Sequence, residues 1–165
     1  MKIRDADEAD LPAIVAIYNA AIATRMSTAQ LEPVTVTERL PWLRKHSPEH
    51  HPLWVLEIDA TVAGWFSFQP FKTRAAYRGT AEVSVYVNES FRRRGVGRAL
   101  LEEGIARSPA LRIGALVGLI FGHNAGSLEL FRRVGFERWG LLPRVARVEE
   151  VERDVVIVGR HVAAA

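Results

Sequence analysis

The segment Glu82-Val-Ser-Val-Tyr-Val-Asn-Glu-Ser-Phe-Arg-Arg-Arg-Gly-Val-Gly-Arg-Ala-Leu-Leu101 carries a carboxylate, a basic run and two glycines, in that order. Its β-branched start, its glycines and the apolar Leu100 and Leu101 read as a strand, a turn and a helix. Successive backbone N–H groups at such a turn, aided by the helix dipole, form a site for an anion. Gly95 and Gly97 lack the Cβ atoms that would hold a phosphate off the backbone, and they permit positive φ. Arg92, Arg93, Arg94 and Arg98 add positive charge around them. A tight turn without a ligand and a solvated arginine loop are the plainer alternatives. The dinucleotide fingerprint fails because Leu100 stands where its third glycine belongs, and the Walker loop fails for want of Gly-Lys-Ser/Thr. What fits is a pyrophosphate bound without a lysine or an evident magnesium ligand.

Coenzyme A has that chemistry, and Arg92-Arg93-Arg94-Gly95-Val96-Gly97 resembles the Arg/Gln-x-x-Gly-x-Gly/Ala signature of the GNAT acetyltransferases. The run Phe71–Glu82 followed by Ser84-Val-Tyr-Val87 is similar to the substrate strand of the phosphinothricin and methionine sulfoximine acetyltransferases. So are Ile17-Tyr-Asn19, Asn124 with Ser127 ahead of Gly135-Phe136, and Asp154-Val-Val. The resemblance runs from Ile3 to Arg160. It implies the GNAT fold, acetyl-CoA as acetyl donor, a small amino-acid-like amine as acceptor, and a homodimer. It implies further that backbone groups of Val85, Tyr86 and Val87 hold the pantetheine arm, and that Arg93, Arg94, Gly95, Val96, Gly97 and Arg98 hold the pyrophosphate. Asn124, with Ser127, completes the cofactor set. Lys72, Thr73, Arg74, Glu82, Val83 and Ser84 line the acceptor site by the same resemblance.

Amide formation from a thioester needs a neutral amine, whereas an α-amine is largely protonated near pH 7, so a base must take its proton. Glu82 is the candidate; its plainer role is a strand-edge carboxylate paired with Arg74 or Arg78. Period-2 geometry puts Glu82, Ser84 and Tyr86 on one strand face and Val83, Val85 and Val87 on the other. A strand N–H around Val85–Val87 is the expected donor to the oxyanion. The chain has no cysteine, which favours direct transfer over an acyl-enzyme and removes disulfides and thiolate metal sites. Arg74 is assigned to the acceptor's carboxylate, since a guanidinium can bind both oxygens; a surface arginine is the alternative. Two positions depart from the family pattern. Phe131 stands where many relatives place a tyrosine or histidine that could protonate the leaving thiolate, with Tyr86 a possible substitute, and Val83 stands where relatives often have histidine.

His46, His50 and His51 do not make a metal site, because Pro48 and Pro52 interrupt their spacing and no carboxylates complete it. Trp42, Trp54, Trp65 and Trp139 read as core or dimer contacts. The 165 residues, 48% hydrophobic with a net charge of +3, suit one domain with a sizeable core and give no extended basic face for nucleic acid. A secretory start and a membrane span are both missing from the sequence, which therefore reads as cytoplasmic. Acetylation of another small amine or a peptide, and acyl-CoA binding without turnover, are the competing functions.

The elements that must position these residues are legible from periodicity. Leu11, Ile14, Val15, Tyr18 and Ile22 mark a first helix begun near Asp7 and Asp10, and a second helix is expected after Thr37, with Pro41 in its first turn. Strands are expected at Leu53–Ile58, Val62–Phe71 and Ala81–Asn88, the first two joined by a hairpin at Asp59-Ala60-Thr61. A helix from Gly97, a strand at Ile113–Phe121, a helix at Ala125–Val134 and a closing β-pair at Phe136–Arg147 and Glu149–Val158 follow. The order is β-α-α-β-β-β-α-β-α-β-β, a mixed α/β domain with helices on both faces of a mainly antiparallel sheet.

Overall fold

A computed structural model describes residues 1–163. Its elements run β1 (Lys2–Asp5), α1 (Leu11–Thr24), α2 (Val36–Arg44), β2 (Leu53–Ile58), β3 (Thr61–Pro70), β4 (Thr80–Val87), α3 (Val96–Arg107), β5 (Ala115–Phe121), α4 (Ala125–Arg133), β6 (Glu137–Val148) and β7 (Val151–His161). This is the order expected from the sequence. The seven strands form one sheet in the order β1-β2-β3-β4-β5-β7-β6. Every neighbouring pair is antiparallel except β4 and β5, which run parallel.

Local chemistry sets the boundaries. Asp7 and Asp10 form a capping box over a short 3-10 turn that leads into α1, and Leu11, Ile14, Val15 and Ile22 are buried along its inner stripe. The β2–β3 turn places Asp59 at φ 49° and Ala60 at φ 59°, as a two-residue turn matched to strand twist requires; Thr61 already belongs to β3. The second helix starts earlier than expected. Thr35 is its N-cap and Glu38 closes a capping box back onto Thr35, so Pro41 falls inside the helix rather than in its first turn. The helix is only nine residues long, and the Thr-x-x-Glu box fixes the start that the proline suggested lay later.

Two cores lie on the two faces of the sheet. Phe66, Phe68 and Val83 pack against Val96, Leu100 and Leu101 of α3 and Phe131 of α4. On the opposite face Val55 and Trp65 pack against Leu11, Ile14 and Ile17 of α1 and Leu43 of α2. Helix α3 sits so close to the sheet that a Cβ on Gly64 would lie 2.8 Å from both the Tyr86 carbonyl oxygen and Val96 Cγ1. Among the described residues no helix is long and apolar enough to cross a membrane.

The β4–β5 pairing is short. Thr80, Ala81 and Glu82 face Ala115, Leu116 and Val117, and the ladder stops there. Past Glu82, β4 keeps its β3 partner as far as Val87 but has none on the β5 side. The sheet therefore opens into a cleft at the level where the turn after β4 begins.

Candidate active site

A cleft of about 790 Å³ lies at that opening. Its walls are the β4 residues Val85, Tyr86 and Val87, the turn into α3, the start of α4 with Asn124 and Ser127, and the end of α1. Arg93 at φ 59° and Gly95 at φ 81° are both left-handed, so the turn folds its backbone inward. Gly95 caps α3 without a side-chain hydrogen bond. Ala99 is the first residue bonded back into the helix, to the Gly95 carbonyl at 2.9 Å, which leaves the preceding amides free for an anion. A Cβ on Gly95 would meet nothing within 4 Å, whereas one on Gly97 would lie 3.0 Å from Leu130 Cδ2. Gly95 is thus favoured by its backbone angle and Gly97 by close packing of α3 on α4.

The basic residues divide the work. Arg92, Arg93, Arg98 and Arg133 all border the cleft. Arg92 reaches Glu89 at 3.6 Å, Arg98 pairs with Glu102 at 2.7 Å and Arg133 with Glu129 at 2.8 Å. Of the four arginines bordering the cleft, Arg93 is the one without an ion pair among the described residues. Arg94, expected in the cofactor set, does not line the cleft: its guanidinium carbon sits 5.0 Å from the Phe91 ring centroid. Successive side chains on a turn point in different directions, so three consecutive arginines cannot all face one ligand. Asn124 accepts from the Ser127 N–H at 3.1 Å and caps α4. Ala21, Thr24, Met26 and Ser27, from the end of α1 and the loop after it, also line the cleft, and no local motif marks them.

A second cavity, of about 340 Å³, lies on the α1/α2 face of the sheet. The register sets its floor: Gln69 stands opposite Glu82, Ser67 opposite Ser84 and Trp65 opposite Tyr86, and all six line the cavity. The strand alternation expected from the sequence holds, with Glu82, Ser84 and Tyr86 on this side. Val83 is 3% exposed and packs in the core on the opposite face, so its side chain does not belong to the acceptor site proposed for it. Lys72, Thr73 and Arg74 are exposed on the β3–β4 loop and do not line this cavity. In their place α1 and α2 supply a roof of Tyr18, Arg39 and Trp42. Trp65 is buried in the core as expected and also faces this cavity, as Trp42 does. Tyr86 and Ser27 border both cavities, which therefore lie side by side; the Tyr86 hydroxyl donates to the Ser27 carbonyl at 3.3 Å.

Glu82 has no ion pair with Arg74 or Arg78 among the described residues. Burial raises its pKa above the ordinary glutamate value, partly opposed by the charge of Lys72. A carboxyl raised in this way is a stronger base than an exposed one. Burial also pushes the Tyr86 phenol well above its usual value, with the neighbouring Tyr18 adding to the effect. Tyr86 therefore stays protonated and serves as a hydrogen-bond donor, and it is a poor source of a proton for a thiolate. Phe131 is buried at the β4–β5 gap with its ring edge-on to Phe136. It brings no hydroxyl there. Among the described residues no group of three His, Asp or Glu side chains converges on one point, and His46 is engaged with the Trp42 carbonyl at 2.9 Å.

A sheet that opens beside a left-handed, arginine-bearing turn defines an acyl-CoA-type transferase, and residues 14–136 match the acetyltransferase (GNAT) family. The chain belongs to that family. It is 46% identical over 164 residues, 99% of its length and 100% of the relative's, to YwnH of Bacillus subtilis, which is provisionally named a phosphinothricin acetyltransferase. It is 37% identical over 146 residues to the L-methionine sulfoximine/L-methionine sulfone acetyltransferase of Pseudomonas aeruginosa, covering 88% of this chain and 85% of that one. The crystal structure of a GNAT phosphinothricin acetyltransferase from Sinorhizobium meliloti in complex with acetyl-CoA superposes with a TM-score of 0.92 at 29% identity, covering 98% of this chain and 88% of that one.

Reversing the charge of the arginine without an ion pair, Arg93→Glu, is expected to raise the KM for acetyl-CoA by roughly 10- to 100-fold, the scale of a charge-assisted hydrogen bond, while the acceptor KM stays within a few-fold. Equal effects on both substrates would place the anion site elsewhere. For Glu82 the sign follows from its raised pKa: its charge costs stability once the pH exceeds the ordinary glutamate value of about 4.3, because the folded state holds the proton longer than the unfolded chain. Glu82→Gln should therefore melt higher than the parent at pH 8, with the gain vanishing as the pH falls to 4. A lower melting temperature at pH 8 would identify Glu82 as an ion-paired structural residue.

Proposed function

We propose that the chain transfers the acetyl group of acetyl-CoA to the α-amino group of a small amino acid of the phosphinothricin or methionine sulfoximine type. The observation that carries this reading is the adjacency of the two cavities, which share Tyr86 and Ser27 as walls. A donor bound in the larger cleft, with its pyrophosphate on the Arg93–Arg98 turn, presents its thioester at the unpaired stretch of β4. Glu82 stands beside it on the floor of the smaller cavity. The names of the relatives in Pseudomonas and Sinorhizobium support the acceptor class.

In this reading Glu82 accepts the ammonium proton, directly or through one water. The neutral amine attacks the thioester carbon, forming the C–N bond, and the C–S bond breaks as the intermediate collapses. A β4 backbone N–H stabilises the oxyanion. As the intermediate collapses, the attacking nitrogen gives up its second proton to water; with Phe131 at the gap and Tyr86 held protonated, the thiolate takes a proton from solvent, and the proton on Glu82 returns to bulk water. Direct attack in a ternary complex accords with the lack of cysteine. Val85, Tyr86 and Val87, together with Asn124 and Ser127, are the groups proposed to bind the pantetheine arm.

The chain is further proposed to pair with a second copy along β6, the edge strand of the sheet. Trp139, Leu141, Leu142 and Val145 leave 41–59% of their surfaces exposed there, an apolar strip that an edge strand in water does not normally present. Sedimentation should give a dimer that Val145→Arg dissociates; a parent monomer at micromolar concentration would end that proposal.

Thiol release from acetyl-CoA across an amine panel tests the function. Phosphinothricin, methionine sulfoximine and methionine sulfone should exceed polyamines and peptides, and Glu82→Gln should lower kcat/KM for the preferred acceptor by roughly 10²- to 10⁴-fold. Release with peptides alone would replace the acceptor class, and tight acetyl-CoA binding without amine-dependent release would make the chain a binding module.

A further inference from the structure

The roof of the acceptor cavity holds a cation with no anionic partner among the described residues. Arg39 lies on α2 one turn before Trp42, so the two share a helix face. Its guanidinium carbon is 3.9 Å from the Trp42 ring centroid and 4.9 Å from that of Tyr18. Both rings line the cavity, as Arg39 does. The side chain is half-buried and, among the described residues, makes neither an ion pair nor a side-chain hydrogen bond. The adjacent Glu38 is engaged with the Thr35 backbone in the helix cap at 2.7 Å. Burial lowers the Arg39 pKa, with no carboxylate opposing the shift, although a guanidinium remains charged at any physiological pH.

Partial desolvation of a cation without an anion is unfavourable, and two aromatic faces offset only part of that cost. Trp65, also lining the cavity, leaves its buried indole Nε1–H without a partner. The floor supplies the complementary group, Glu82, more than 4.0 Å from Arg39 since no ion pair joins them. The cavity thus has an unpaired guanidinium in its roof and a carboxylate in its floor.

We propose that Arg39 binds the α-carboxylate of the acceptor, opposite the amine at Glu82, and so makes the enzyme selective for zwitterionic amino acids over amines that lack the acid. The role expected from sequence for Arg74 passes to a residue far from it in the chain. A guanidinium resting on an indole ring keeps its N–H donors available to two carboxylate oxygens. The remaining wall, with Phe121, Leu119, Ala146 and Val155 beside Ser67 and Gln69, receives a short side chain that is apolar along its stem and polar at its head.

This inference rests on the acetyl-transfer reading, and its test separates the two. Rates of thiol release are measured for one amino acid and for its α-carboxamide, with the parent chain, Arg39→Gln and Arg39→Lys. The parent should prefer the carboxylate by about 10- to 100-fold in kcat/KM, mostly through KM, as expected for a charge-assisted pair. Arg39→Gln should reduce that ratio to near one, Arg39→Lys should restore part of it, and the KM for acetyl-CoA should stay unchanged in both. Because the ratio is taken within one preparation, partial misfolding does not affect it, and Arg39→Lys serves if the glutamine variant gives no folded protein. A preference that survives in both variants overturns the inference and returns the carboxylate to the Lys72–Arg74 loop. A parent that acetylates amines without preferring the acid also overturns it, leaving acetyl transfer intact. A parent that releases thiol with no amine defeats the acetyl-transfer reading, and the inference falls with it.

Discussion

The site depends on one omission in the sheet, the end of the β4–β5 ladder at Glu82 and Val117. Backbone N–H and C=O groups without partners are unfavourable unless a ligand or water satisfies them. Here the interruption leaves the Ser84–Val87 edge free at the mouth of a cleft large enough for an extended ligand. The turn after β4 and the start of α4 then fall at the two ends of the opening. Had the pairing continued to Phe121, the cleft would be closed and the arginine turn would face solvent alone.

Electrostatics differ on the two sides of that opening. The donor cleft is bordered by guanidinium groups, most already tied to glutamates on their own helix or turn. Exposed pairs of that kind contribute little to stability, and their use here is to set direction. The acceptor cavity instead holds its charges apart, with Arg39 between aromatic rings and Glu82 on the strand below. Separated charges in a partly desolvated space bind a zwitterion better than they bind either ion alone.

Most of the larger cleft is readable in the sequence because it is contiguous: strand, turn and helix follow one another from Glu82 to Leu101, while the direction of Arg94 and the contribution of Ala21, Thr24, Met26 and Ser27 escape a linear reading. The order of elements along the chain and most of their boundaries are readable through period and turn residues. The acceptor site is not. Its walls come from Tyr18, Arg39, Trp65, Glu82, Phe121 and Val155, each on a different element, and only the tertiary fold brings them together. Val83 is instructive, because alternation alone put it on the face away from Glu82 and the family resemblance drew it into the site. The structure sides with alternation. The start of α2 was missed for a smaller reason: Thr35 and Glu38 gave a valid capping signal, but Pro41 outweighed it.

Helix α2, nine residues long with a proline inside, roofs the acceptor cavity while touching none of the donor cleft. The groups proposed to hold the nucleotide end lie mainly on the turn into α3 and on α4. Selection can therefore rebuild the roof, exchanging Arg39 or Trp42, without disturbing the machinery that supplies the acyl group. A fold divided in this way can diversify its clients while keeping a constant fuel.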